Sequence, residues 1–565
     1  MKTKKKSFLL LIFFTFGSLF NLCARGTQEL VPAGHWIYDS IEDICTEVGI
    51  VNFADCQPLT IAELRLYLSE LNDFDLSEAS SVQLKKINEY FDYENVGFSS
   101  DILKLGFEPS VNLSGFYKTN DEIDWVYDRY QRKPFISAPV SISAADYVTL
   151  KMDLSFAMNK NHSLLNNRYI NVPLEEDDID INFPDTGYFS TGYKFTENTG
   201  VSFQLGKGAR NIGKTLTGSM IWSEYLTGVS YAQLNLYSPN IHYAGVVSQF
   251  NVDRYMYTHQ IDARFFKKFQ FSVLEGVFVY APMELRFLNP LTIFHGMAPW
   301  REYENTSKDS ETHTGAYLGL KFQYTPIKNL KFYGLYAMTQ FQTGYETSNY
   351  PDDVTPNGIG GQLGSLYVIP FKNGRFSFAL EGSYAQPYLY IKESPNWSLV
   401  RTYAENMGSK RYPFYEWIGS PFGPDTISGE FKAGYELPNK YSVDLIYLFM
   451  ARGEMSGTRV FTSMTDSDGS YAWGGVYTGN DYPDDWCYPE KSRMGAEKAK
   501  AMQSLVTPTG IPEYVNRISL RGTYNFNSKV EALVQPSFVY IFNNNHESKN
   551  FACGFEIATA CSVNF

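Results

Sequence analysis

The chain has 565 residues, a formal net charge of −13 and a mean hydropathy of −0.27. That acidic balance offers no electrostatic footprint for nucleic acid. Beyond the N-terminal run no apolar stretch approaches the roughly twenty residues a spanning helix needs, so a bundle of membrane helices is excluded. Yet 44% of the residues are hydrophobic, with 42 Tyr and 42 Phe, and such aromatic enrichment fits a β-barrel with girdles at both membrane interfaces.

Lys2, Lys4, Lys5 and Lys6 precede an apolar run from Phe8 to Leu22, the form of an export leader and short for a spanning helix, a single anchoring helix being the other reading. Ala24-Arg25-Gly26 has the small-x-small form, which sets the expected leader at 1–26 with Thr27 first in the mature chain. Cys23 raises a lipidated alternative, although Phe20-Asn21-Leu22 lacks the small residues that lipidation prefers. Six cysteines are too few for a disulfide scaffold. Cys45 and Cys56 are the pair that can bridge in an oxidising periplasm, while Cys487 has no evident partner.

The stretch 27–105 reads as a periplasmic helical bundle. Ile37, Ile41, Ile44 and Val48 recur at helix spacing. After Pro58, Thr60 and Glu63 have capping-box spacing, and Ile61, Leu64, Leu68 and Leu71 share a stripe. Leu84, Ile87 and Phe91 follow Ser77 in register. Three short amphipathic helices bury little core alone, so they are expected to dock on the periplasmic end of a barrel spanning 106–565; an independent envelope-binding domain is the other reading.

From 106 onward, strand, tight turn, strand and long loop repeat. Short turns centre on Ala144, Asn198, Pro239, Lys267, Lys328, Asn373, Asn439 and Asn527. Long segments fall near 159–185, 207–225, 282–312, 342–359, 387–424 and 452–512. The alternation is that of an all-β transmembrane barrel of about 18 antiparallel strands in the bacterial outer membrane, with short periplasmic turns and long external loops. Parity sorts the faces. Phe376, Phe378, Leu380 and Tyr384 oppose Arg375, Ser377, Glu381 and Ser383, and Ile518, Leu520, Tyr524 and Phe526 oppose Arg517, Ser519, Arg521 and Thr523. A lipid-facing Arg or Lys at mid-depth costs about 2–4 kcal/mol, so Arg375, Arg517 and Arg521 belong in the lumen, and Glu381 with them. One residue breaks the pattern: Glu275 shares the lipid parity of Phe269, Phe271 and Val273, and a β-bulge near Leu274–Gly276 is expected to turn it inward; the other reading puts it above the membrane edge, where a charge costs little.

The last segment, from Phe551, alternates Phe551, Cys553, Phe555, Ile557, Thr559, Cys561, Val563 and Phe565 against Ala552, Gly554, Glu556, Ala558 and Ser562. It resembles the terminal aromatic signal of proteins inserted by the bacterial barrel-assembly machinery, an expected partner together with outer-membrane lipid. The opening Val31-Pro32-Ala33-Gly34-His35-Trp36-Ile37-Tyr38 and the segment Pro58-Leu59-Thr60 look like the start of capsule-assembly Wzi family proteins. Gly206-Lys207-Gly208-Ala209-Arg210 through Gly218-Ser219 and Trp222-Ser223 is similar to that family's glycine-rich stretch, and Glu275 and Leu288-Asn289-Pro290 look like recurring positions. Ile212-Gly213 departs from it, standing where an aromatic residue is expected before the glycine. The resemblance implies an eighteen-stranded barrel with a periplasmic bundle that binds capsular polysaccharide at the cell surface and helps attach it.

Sugar binding has a matching chemistry: aromatic faces stack on pyranose rings while carboxylates, amides and Arg bond hydroxyls. Trp473, Tyr477, Trp486 and Tyr488 stand in the longest loop, and lumenal Arg517 and Arg521 suit an acidic sugar or pair with acids such as Glu556. Acidic clusters at Glu175–Asp180 and at Asp466 and Asp468 can bind Ca²⁺, but neither has full calcium-loop spacing and a solvated loop is the default. No cofactor motif is present. Seven scattered His, without H-E-x-x-H or G-x-S-x-G, give no enzyme signature. The expected function is non-enzymatic binding or assembly of surface polysaccharide; the alternative is a channel or transporter for small solutes.

Overall fold

The computed structural model describes the chain except residues 1–20, 93, 101, 125–131, 160–165, 176–178, 181–185, 296–312, 350–354, 393–397, 408–409 and 456–502. Eighteen antiparallel strands close into a ring. In chain order they are β1 (Ser110–Lys118), β2 (Ile136–Ala144), β3 (Val148–Met158), β4 (Thr186–Thr196), β5 (Thr199–Gly208), β6 (Val229–Tyr237), β7 (Ile241–Asn251), β8 (Arg254–Phe265) and β9 (Phe269–Tyr280). They continue as β10 (His313–Ile327), β11 (Leu330–Gln340), β12 (Gly358–Phe371), β13 (Gly374–Ala385), β14 (Thr426–Leu437), β15 (Tyr441–Arg452), β16 (Glu513–Asn527), β17 (Val530–Phe542) and β18 (Phe551–Asn564). The ring closes where β18 pairs β1, from Glu556 opposite Lys118 to Asn564 opposite Ser110.

All eight expected short turns are present, and the long loops lie at the other end. Lys267, Asn329, Lys372 and Asn439 take positive φ in those turns, the left-handed backbone that matches a tight hairpin to strand twist. The closing strand shows the alternation plainly: Phe555 is 62% exposed and Ala558 4%. Exposed Phe, Tyr, Leu and Val side chains on the outer parity make the surface of an outer-membrane protein. Above Ile136 the wall position of β2 is taken by a loop segment, Arg168–Ile170, which pairs with β1, while Asn171 bonds the Ser114 amide and the Asn112 carbonyl.

Three helices fill the end with the short turns: α1 (Trp36–Val48), α2 (Ile61–Ser69) and α3 (Glu78–Asp92). The Thr60 hydroxyl accepts the Glu63 amide at 3.2 Å, as the capping spacing implies. The apolar stripes meet in one core with Val31, Phe53 and, from the wall, Tyr237. Backbone bonds tie the bundle to the turns, Val51 N to Lys267 O and Asn329 N to Thr46 O.

Some expectations fail or fall elsewhere. β9 pairs with β8 and β10 in unbroken register, so no bulge turns Glu275 inward; it keeps the lipid parity. Cys45 and Cys56 are free thiols, Cys45 in the helical core and Cys56 facing Gln260 Oε1 at 3.4 Å. Arg25, inside the expected leader, is buried between Glu29 and Glu108 and over the Tyr90 ring. Trp473, Tyr477, Trp486, Tyr488, Cys487, Asp466 and Asp468 lie outside the described residues, as do Glu176, Asp177 and Asp178 of the other acidic cluster.

Candidate functional site

The lumen is crossed by two layers that meet. From below, α1–α3 and the segment 50–60 present acids to bases on the wall. Asp55 bonds Lys321 at 2.6 Å, Glu42 bonds Lys331, Glu70 bonds Arg264 at 2.5 Å and Asp43 lies 2.9 Å from Arg375. Lys321 also reaches Asp262 at 3.2 Å. His242 stands between Asp262 at 3.0 Å and Glu63 at 3.5 Å, while the Glu63 carboxylate accepts the Tyr67 hydroxyl. Ion pairs this deep add less to stability than to fixing one docking pose, since each charge pays for its desolvation.

Enclosure in the barrel lifts the Asp43 carboxyl to about 6, with Arg375 opposing and Glu436 adding to the rise. Enclosure would raise Asp39 too, but Lys214 at 2.5 Å, with Lys432 and Arg521 beyond it, holds that carboxyl below its ordinary value. Cys56, His242 and Asp262 bring S, N and O donors within 4.8 Å of one another. The Asp262 oxygens already accept from Lys321, Gln260 and Ser272.

From above, the loop 209–228 turns down into the lumen. Asn211–Ile212 pairs with Cys56–Gln57 of the plug, and Gly213 N bonds Asp55 O. Gly213 has φ +85°, open to glycine and strained for other residues, and Ile212 before it is buried in the apolar core. Glu381 anchors the next residues, accepting the Leu216 amide at 2.8 Å, the Thr217 amide at 3.0 Å and the Thr217 hydroxyl at 2.5 Å. Met220, Ile221 and Trp222 then bury against wall residues Met256, Leu274, Phe278, Tyr317 and Leu335. Arg210 lies over the Trp222 ring, 4.7 Å from its centroid.

A hairpin in the loop 386–425, Val400–Met407 paired with Lys410–Trp417, covers this layer. Tyr390 OH donates to Met220 O, Ile418 O accepts the Ser223 amide, and Arg254 donates to Ser398 O and Val400 O.

The opposite side of the lumen, along β14–β18, is different. Arg517, Arg521, Lys432, Glu430, Asp444 and Glu531 point inward and stay half-buried. Arg521 stands directly opposite Asp444, which lies 3.6 Å from Lys432. Arg517 donates to Asp124 O of the loop after β1, whose Ile123 packs on Met450, Val515 and Val539. A cavity of about 80 Å³ opens beside Arg521, Lys133, Glu531 and Ser562. Arg521 thus lines a charged chamber that solvent reaches, while Arg517, on the same strand, bonds the Asp124 carbonyl. Glu381, Lys214 and Trp222 escaped notice as site builders; the glycine-rich spacing 206–218 was the one signal that pointed there.

No protein-family model and no curated protein matches the chain. Among solved structures it is similar to Wzi of Escherichia coli, named as an outer membrane protein involved in group 1 capsule assembly and a carbohydrate binding β-barrel. Identity is 10%, coverage 96% of this chain and 100% of that one, and the TM-score 0.55. OccK3 of Pseudomonas aeruginosa aligns at 9% identity over 81% and 95% of the two chains with a TM-score of 0.36. OmpT of Vibrio cholerae aligns at 8% over 83% and 99%, with 0.32. The likeness to Wzi is one of fold: a large closed antiparallel barrel of the outer-membrane kind.

Proposed function

We propose that this chain binds or helps assemble surface polysaccharide without catalysing a reaction. The observation that carries the reading is the apolar layer filling the β6–β13 side of the lumen, in which Met220, Ile221 and Trp222 pack between the wall and the Tyr388–Ile391 segment. A solute channel conducts through a hydrated lumen; a layer packed like a protein interior supports a binding barrel instead. Likeness in fold to a carbohydrate-binding barrel supports the same reading. The residues proposed to meet glycan are Trp473, Tyr477, Trp486 and Tyr488, with Arg517 and Arg521 for acidic groups. A channel remains the second reading, favoured by the half-buried charges around Arg521.

The test is conductance of purified protein in a planar bilayer, together with retention of envelope polysaccharide from the same cell on immobilised protein. Retention without conductance is the expected result. Steady ion-selective conductance without retention would overturn the proposal and make Arg517 and Arg521 channel residues.

A further inference from the structure

The chain leaves β9 at Tyr280 and folds back over the outside of the barrel. Phe287 and Phe294, 2% and 1% exposed, bury on Tyr257, Val277 and Val279. Those three wall residues share the outward parity of Ile261, Phe271 and Val273, all exposed, so 281–295 lies against the face that meets lipid. Its fixings are polar and directed at the wall. The Glu284 amide donates to Tyr257 OH at 3.0 Å and the His295 amide to Glu275 Oε1 at 2.8 Å. His259 stacks on Phe294 with centroids 4.2 Å apart and meets Tyr243 OH at 2.6 Å.

The strap's other face is bare and apolar: Met283, Leu285, Leu288, Leu291 and Ile293 are 44–88% exposed. Arg286, within the strap, pairs with Glu284 at 3.1 Å. Glu275 lies five residues below the top of β9, roughly 12 Å down for a tilted strand. On this outward parity a bare carboxylate and imidazole would stand on the lipid-facing side, and the strap places leucines outside them.

We propose that 281–295 is a re-entrant strap whose Leu285, Leu288, Leu291 and Ile293 contact acyl chains of the outer leaflet, sealing the polar group Tyr243–His259–Glu275 from lipid. The occupant follows from continuity. The strap's apolar face continues the exposed lipid face of Ile261, Phe271 and Val273 upward, and the intervening Glu275 is bonded by the strap's own His295 amide.

The test uses the full-length protein in vesicles of phosphatidylcholine carrying a diazirine midway along one acyl chain. After irradiation, mass spectrometry locates the adducts. Adducts on Leu285, Leu288, Leu291 or Ile293, at a yield within a few-fold of Phe271 and Val273 and with Val277 and Val279 spared, are the expected result. In Glu275→Ala, whose folding is checked by heat-modifiability, the strap loses a fixing and Val277 and Val279 become labelled. Adducts on Phe271 and Val273 with none on the strap would overturn the proposal. So would crosslinks from Leu291 to a second copy, which would make the face a protein interface.

Discussion

Met256, Leu274 and Tyr317 on one side of the lumen and Arg517, Arg521 and Lys432 on the other obey the same parity rule, yet the first group is sealed and the second meets water. The wall is not the cause. On β8–β11 an external loop descends, and the inward positions level with it are apolar because they pack on Met220, Ile221 and Trp222, while Asp262, Lys321 and Lys331 below them carry charge and meet the helical bundle. On β14–β16 the nearest inward loop closes only near the rim, through Ile123, and inward positions below it carry charge. The inner face of a barrel is therefore a record of what each strand faces, not a uniform polar surface.

The comparison breaks most visibly at Trp222. Replacing it with alanine empties the middle of the apolar layer, at about 3–5 kcal/mol. A lower thermal midpoint and new conductance across planar bilayers are expected; an unchanged barrel by both measures would show that the layer does not close the lumen.

Lys321→Met leaves Asp55 and part of Asp262 buried without their cation, worth about 3 kcal/mol or more. Adding Asp55→Asn is expected to recover part of the loss in urea midpoint. Additive losses would argue that the two do not act as a pair.

Asp43 sharpens the comparison through pH. Its folded value near 6 exceeds the ordinary aspartate value, so the folded state holds the proton more tightly. Its contribution to stability is full below about pH 4 and is lost as pH rises through 6, at most about 3 kcal/mol. Asp43→Asn should flatten that part of the urea-midpoint curve between pH 4 and 7. A wild-type curve no steeper than the variant's would refute the assignment.

Arg521→Ala, in the hydrated chamber, is expected to change stability by under about 1 kcal/mol while reducing retention of an acidic polysaccharide several-fold. Equal retention by wild type and variant would confine Arg521 to pairing with Asp444.

Much of the fold was legible in order along the chain. Eight turns, the closing strand and the lumenal places of Arg375, Glu381, Arg517 and Arg521 follow from alternation and turn residues. Glu275 was misread because its environment is supplied by a strap twenty residues further on, whose His295 amide bonds it. The Cys45–Cys56 bridge failed because proximity in sequence says nothing of direction: one thiol turns into the helical core and the other toward Gln260.

The sequence by itself determined the barrel, its strand count and the helical bundle. These depend on periods of 2 and 3.6 residues and on turn residues such as Asn329 and Asn439, all short-range properties of the backbone. Only the tertiary structure decided which side of the lumen is filled. Asp55 meets Lys321 across 266 positions, and Glu381 holds Thr217 across 164. Such contacts join irregular loops to distant strands, and no local period records where an irregular loop returns.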